Sequence, residues 1–312
     1  MRVFLAGATG VLGSRLVRGF RARGHEVLGL ARSPSNEAAI RELGGQPRTA
    51  DLFDPDSLAE AAHGVDVVVR AATAIPRSLR VRRADWAMND RVRRDGTRAL
   101  TEAVARVGAR MYLQEGIVWV AQPADGTPFG ESSPVTGRDW YAAAADAERV
   151  AREAAEAHGF QAATLRFGAF YAADSGRTRM MGEQLMKRKL PILGSGDAVW
   201  SSIHADDAAA AMVVAAEAGR SGVWHVVDNR TATMAEFFVT LARLLGAPPP
   251  RQVPLWLARI VAGRDTVSFL NASTRTSNAR FRQDFGWAPR FPTIGEGLRE
   301  VVDAWREEGF PG

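Results

Sequence analysis

The 312-residue chain has no cysteine, which excludes disulfides, thiolate metal sites and a cysteine nucleophile. Lysine is almost absent: of 40 basic residues only Lys187 and Lys189 are lysine, leaving 38 arginines. No uncharged apolar run reaches the roughly 18 residues of a membrane span. The start, MRVFLAGATG, lacks the longer apolar stretch and small-residue cleavage site of a signal peptide, so a soluble, cytoplasmic protein is expected. The histidines (His25, His63, His158, His204, His225) show no i, i+4 pair, and no metal is expected. A nucleophile-elbow sequence is also missing. What remains is ordinary globular composition, 46% apolar and 24% charged, which excludes a disordered, collagen-like or coiled-coil chain. The net charge of +5 is spread among 35 acids. Its densest basic stretch holds Arg77, Arg80, Arg82, Arg83, Arg91, Arg93, Arg94 and Arg98, with Asp85, Asp90 and Asp95 among them. With no nucleic-acid module present, this stretch reads as a solvated helix face or an anion-facing pocket edge. Neither nucleic acid nor membrane is expected as a partner.

The first thirty residues carry the strongest signal. Arg2 to Ala6 is a short apolar strand, followed at once by Gly7-Ala8-Thr9-Gly10-Val11-Leu12-Gly13. A helix follows with Leu12, Leu16, Val17 and Phe20 on one face, then Gly24, then a second strand over His25 to Leu30. A glycine triplet between strand and helix sets main-chain N–H groups and a helix N-terminus against a pyrophosphate. Gly7 permits the tight turn, Gly10 leaves room for phosphate, and Gly13 lets the helix lie close to the sheet. At the end of the second strand an acid would hold the ribose 2′-OH of NAD. Here the strand runs into Ala31-Arg32-Ser33. Arg32 suits the 2′-phosphate of NADP, so NADP (NADPH) is favoured over NAD, although in so arginine-rich a chain Arg32 could be one more surface residue.

The alternation continues. Strands are predicted at Gln46–Ala50, Val65–Val69, Arg110–Leu113 and Ala162–Phe167, with helices near 55–62, 90–107 and 140–158. This predicts an α/β fold with a doubly wound parallel sheet of Rossmann type, whose ligands bind at the carboxyl ends of the strands. Residues 1–167 with about 200–230 read as the dinucleotide-binding domain. Residues 168–199 and 231–312 read as a smaller, discontinuous C-terminal substrate region, and Ser201–Ala218 with Val223–Val227 as a return to the sheet. Cofactor contacts are expected from Gly7, Thr9, Gly10, Val11, Leu12, Gly13, Arg32, Asp51, Leu52, Ala71, Ala72, Thr73, Gln114, Gly168 and Phe170.

The chain resembles the extended short-chain dehydrogenase/reductase family, often labelled NAD-dependent epimerase/dehydratase. The resemblance spans nearly the whole chain. It rests on GATGVLG at 7–13, Asp51-Leu52, Gly96-Thr97-Arg98-Ala99-Leu100, Leu165-Arg166-Phe167-Gly168 with Phe170-Tyr171, Ile203-His204-Ala205-Asp206-Asp207-Ala208-Ala209 and Phe285-Gly286-Trp287-Ala288-Pro289. The family's chemistry uses Tyr-x-x-x-Lys and an upstream serine: a lysine four residues on shares the tyrosine's helix face and favours the phenolate. Here Tyr141 matches the tyrosine, but Ala145 stands at the lysine, Gly116 best matches the serine, and Arg93 stands where many relatives have asparagine. The resemblance therefore implies an atypical branch.

The candidate catalytic residues are Tyr141 as acid, Glu115 as base and Arg93 as a substitute positive charge. Tyr141 reads equally as an aromatic packing residue, and Glu115 as a structural ion-pair partner. Eight tryptophans are many for this length. Trp86, Trp119, Trp140 and Trp200, with Tyr171, are candidates for lining a substrate pocket, against the plainer alternative of core packing. Three readings follow. The first is an NADP(H)-dependent oxidoreductase on a small, fairly apolar or aromatic carbonyl-type substrate. The second is a non-redox isomerase, dehydratase or cyclase. The third is an NADP-binding sensor. A homodimer through the two long helices would match the family habit.

Overall fold

The structure, a computed structural model, describes residues 1–76, 82–136 and 140–310; Arg77 and Arg80 of the basic stretch lie outside these. Up to residue 167 strands and helices alternate as β1 (Arg2–Ala6), α1 (Val11–Ala22), β2 (Glu26–Ala31), α2 (Pro34–Glu42), β3 (Gln46–Thr49), α3 (Pro55–Ala61), β4 (Val67–Arg70), α4 (Ala87–Val107), β5 (Met111–Ile117), α5 (Ala142–His158) and β6 (Gln161–Phe167). There follow β7 (Ala169–Tyr171), α6 (Gly176–Met186), β8 (Ile192–Leu193), β9 (Val199–Trp200), β10 (Ser202–His204), α7 (Ala205–Ala218) and β11 (Gly222–Val226). The chain closes with β12 (Ala232–Thr233), α8 (Met234–Leu244), β13 (Gln252–Val253), α9 (Leu255–Ala262), α10 (Arg264–Leu270), α11 (Ala279–Phe285) and α12 (Ile294–Glu307).

Seven strands form one sheet in the order β11-β6-β5-β4-β1-β2-β3. Every neighbouring pair in it is parallel. Parallel neighbours need crossover helices, and the helices cover both faces. On one face Leu16, Val17 and Phe20 of α1 and Met212 of α7 bury Val3, Leu5, Val69 and Leu113. On the other, Leu58 of α3 and Leu100 and Val104 of α4 bury Phe4, Leu28, Val68 and Tyr112. Each such side chain contributes roughly 1.5–3 kcal/mol on removal from water. The direction of winding reverses between β1 and β4, and in sheets of this kind the ligand crevice lies there, at the carboxyl ends of the strands. A third cluster (Leu185, Phe237, Phe238, Leu298, Val301, Trp305) forms the core of the C-terminal region.

Two expectations change. The strand expected over Arg110–Leu113 begins at Met111 and runs on to Ile117. The return to the sheet is made by β11 alone, while β10 pairs with β7 in a separate two-stranded sheet.

Candidate active site

At the β1 end of the crevice the main chain does the shaping. Gly7 has φ +95°. A Cβ there would stand 2.5 Å from the Ala72 nitrogen, so the segment after β4 passes directly beside the loop. A Cβ on Gly13 would overlap the Gly7 carbonyl oxygen, which fixes the entry angle of α1. Gly10 is the exposed N-cap of α1, with neither a side-chain cap nor an acid in the first turn. Those N–H groups are therefore open to an anion. Thr9 is exposed, Val11 half-buried, and Leu12 turned into the core.

One strand over, Arg32 is exposed just beyond β2. Beside it Ser33 caps α2, its hydroxyl accepting from the Asn36 N–H at 3.2 Å and lying 2.9 Å from the Ser35 hydroxyl. The Asn36 amide reaches back to the Thr9 hydroxyl at 3.4 Å, linking the two loops. Asp51 is exposed and accepts from the Phe53 N–H at 2.9 Å. Leu52 is buried under Gly96 of α4, where a Cβ would meet it at 3.2 Å. Ala71, Ala72 and Thr73 line the way from β4, and the buried Asn89 amide oxygen holds the next N–H, that of Ala74, at 3.0 Å.

At the β5 end side chains dominate. Glu115 is 3% exposed. Its Oε1 accepts from Arg93 Nη2 at 2.9 Å, and its Oε2 lies 3.8 Å from Arg70 Nη1 without a hydrogen bond. Arg70 is fully buried and also donates to the carbonyls of Glu115 (2.6 Å) and Ala72 (3.2 Å). Both carboxylate oxygens are thus enclosed, so in this arrangement Glu115 is an ion-pair partner and not a solvent-reachable base. Gln114, expected at the cofactor, is enclosed too. Its amide oxygen accepts from Arg70 at 3.3 Å and from Thr97 at 3.4 Å, and its amide nitrogen donates to Thr164 at 2.9 Å.

Gly116, the match to the family serine, has no room for one: a Cβ would stand 2.7 Å from Thr164 Cγ2. Tyr141 is the half-buried N-cap of α5, one residue before the helix begins. Its ring and Ala145 pack beside the small cluster of Val118, Val120, Phe129, Ala144 and Val227. Nearby, Glu148 clamps Arg166, with contacts down to 2.6 Å, and Arg166 faces His225. Burial, then the charges of Arg166 and Arg280, hold the His225 pKa at about 3. Gly168 is buried against the Ser201 carbonyl, and Phe170 packs on Phe167 with ring centres 5.2 Å apart.

The tryptophans divide. Trp86 and Trp140 meet edge to face, ring centres 6.4 Å apart, with the Arg83 guanidinium 6.0 Å from the Trp140 ring. Trp119 stacks on Phe269 of α10 at 6.0 Å. Trp200 and Tyr171, by contrast, belong to the C-terminal core. The Trp200 indole donates to the Leu270 carbonyl at 3.0 Å and packs on Phe237 and Phe238. The Tyr171 hydroxyl donates to Asp228 at 3.0 Å. Burial, then the neighbouring Asp228 charge, pushes the Tyr171 hydroxyl well above its ordinary range, and burial likewise raises the Asp228 carboxyl. An aromatic residue leaves the same mark in a sequence whether it lines a core or a cleft, which is why these two were misassigned. Arg70, Asn89 and the α2 start were missed. The signal for Arg70 was a charge closing an apolar strand, and for α2 it was Ser33-Pro34 in N-cap order.

Comparison with known proteins places these features in context. Residues 3–227 match the NAD dependent epimerase/dehydratase family. A "3-diazoavenalumate denitrifying reductase" from a Streptomyces species is 35% identical over 96% of this chain and 99% of its own length. Among solved structures, the human epimerase family protein SDR39U1 with NADPH has a TM-score of 0.81 at 24% identity, covering 97% of this chain and 99% of that one. The dTDP-glucose 4,6-dehydratase DesIV of Streptomyces venezuelae, with NAD and TYD bound, has a TM-score of 0.79 at 23% identity, covering 98% and 97%.

Proposed function

The chain belongs to the NAD dependent epimerase/dehydratase family and is an enzyme of the nicotinamide-dependent oxidoreductase kind, and from that premise we propose that it is an NADPH-dependent reductase of a small, apolar or aromatic carbonyl-type substrate. The observation that carries the cofactor choice is the exposed Arg32 beside the Ser33-capped start of α2, with no acid at the end of β2. A guanidinium and two hydroxyls there suit a 2′-phosphate. The N–H groups of Val11 and Leu12 at the start of α1 suit a pyrophosphate. Asp51 and Leu52 would border the adenine, Ala71 to Thr73 the ribose, and Gly168 to Phe170 the nicotinamide. When bound, the dinucleotide supplies a hydride. Tyr141 is the group that would hand a proton to a carbonyl oxygen. Ala145 carries no charge, so the help that the family's lysine gives the phenolate has to come from another residue here.

Ala145 also favours a second reading, in which the acceptor carries a leaving group and needs no proton. The 35% identical relative is named as a denitrifying reductase of a diazo compound. If this chain reduces an aryl diazonium, the new C–H bond forms with the hydride's electron pair. The C–N bond breaks, and its pair departs with dinitrogen.

The test is a fluorescence titration with NADPH and NADH, then NADPH oxidation with carbonyl and diazonium panels, each repeated with Tyr141→Phe. Tight NADPH binding with carbonyl turnover that Tyr141→Phe abolishes supports the first reading. Diazonium turnover that Tyr141→Phe leaves intact supports the second. Binding without any turnover returns the site to a non-redox enzyme or a sensor. Binding of neither dinucleotide overturns the proposal. Pairing of two copies through the outer faces of α4 and α5 completes the proposal, with the mass in solution as its check.

A further inference from the structure

Building on the reductase reading, we infer that the substrate is an aryl carboxylate, taken up between the Trp86–Trp140 pair and the Arg93 guanidinium. The first observation is charge. Arg70, Arg93 and Glu115 are 0%, 4% and 3% exposed, so two guanidiniums share one carboxylate beneath the crevice. Among the described residues, three neighbouring acids are each taken by another arginine: Asp90 with Arg83 at 2.5 Å, Asp146 with Arg94 at 2.6 Å and Glu148 with Arg166 at 2.6 Å. His225, held neutral at ordinary pH, adds nothing. One positive charge is left over in a site shielded from water, where an uncompensated ion is costly.

The second observation is unfilled hydrogen-bonding capacity. Arg93 Nη1 is buried and has no acceptor, and the same holds for Arg70 Nε. The Trp86 indole N–H is a third buried donor without an acceptor. Native interiors leave few such groups unmatched, and an incoming anion is the partner type that satisfies a free guanidinium arm.

The third observation is alignment. Trp86, Asn89, Arg93 and Thr97 recur at spacings of three, four and four, which puts them on one face of α4 and the turn before it. That face is the inward one: Asn89 holds the Ala74 N–H, Arg93 the Glu115 carboxylate, and Thr97 the Gln114 amide. Seven residues of helical rise separate the indole from the guanidinium by about 10 Å. An aromatic wall at one end and a surplus cation at the other match a ring joined to a carboxylate by a short spacer. A neutral aromatic would leave the surplus charge where it is.

The experiment is calorimetric titration of the NADP⁺-loaded protein with cinnamate and with cinnamide, which differ in charge and little in shape. Cinnamate is expected to bind about tenfold tighter or better, the size of one charge-assisted pair. Arg93→Met should erase that preference with NADP⁺ affinity unchanged, and Arg93→Lys should keep part of it. If Arg93→Met does not fold, Trp86→Ala serves: it should weaken acid and amide alike. Equal binding of acid and amide by the unaltered protein overturns the inference, and so does binding of neither by protein that holds NADP⁺. Loss of Arg93→Met affinity for NADP⁺ itself also overturns it, because the surplus charge would then belong to the dinucleotide. Failure of the unaltered protein to bind NADP⁺ instead sinks the cofactor reading, and this inference with it.

Discussion

At the β1–β2 end of the crevice the protein presents main chain; at the β4–β5 end it presents side chains locked to one another. The first end is held by steric exclusion, with Gly7 and Gly13 allowing segments to meet where any Cβ would collide. The second is held by ion pairs and hydrogen bonds among Arg70, Arg93, Glu115, Gln114, Thr97 and Thr164 out of water, with Arg93 Nη1 and Arg70 Nε left unmatched. The first end has little room for side chains. The second end carries Gly116 where the family resemblance implies a serine, set in a network of buried polar side chains.

Substitutions can break or sharpen that contrast. The largest effect is expected at the side-chain end. Glu115→Ala leaves two buried guanidiniums without their carboxylate and should cost about 3–5 kcal/mol in urea unfolding. A cost below about 1 kcal/mol would mean the arginines find other partners and the network is not a unit. Next is Gly116→Ser, which restores the family residue against Thr164. It should lose about 2 kcal/mol of thermal stability without raising turnover, since the crowding is internal. A gain in activity would show that the site retains a serine-shaped vacancy. At the main-chain end, Arg32→Ala should weaken NADPH by about tenfold and leave NADH unchanged in the same titration. Equal losses for both would remove Arg32 from the 2′-phosphate. The smallest effect is Ser33→Ala, which loses the α2 cap at a cost of about 1 kcal/mol in the unfolding midpoint and weakens NADPH only slightly.

The same contrast explains what could be read in advance. Glycine spacing and the strand–turn–helix rhythm are legible because each constrains the backbone locally. The end of β5 was not. Gln114-Glu115-Gly116 looks like a loop until Arg70 and Arg93, 45 and 22 residues away, are seen to satisfy it. For Glu115, read as a base or as an ion-pair partner, the geometry supports the ion-pair partner. Tyr171 and Trp200 fall beside the expected cleft segments, which suits pocket lining as well as core packing; both pack on Phe237 in the C-terminal core. Tyr141 falls between these cases: the motif locates it at the start of α5, and its packing beside the cluster of Val118 and Phe129 needed the fold.

The outermost strand on the β2 side, β3, reads Gln-Pro-Arg-Thr. A bare sheet margin is a template on which a stray extended segment, from another copy or from a nascent chain, can add itself and start a fibre. Pro47 has no N–H to offer such a visitor, and Arg48 brings charge and bulk to the same border. This margin is therefore poorly suited to the addition of a further strand.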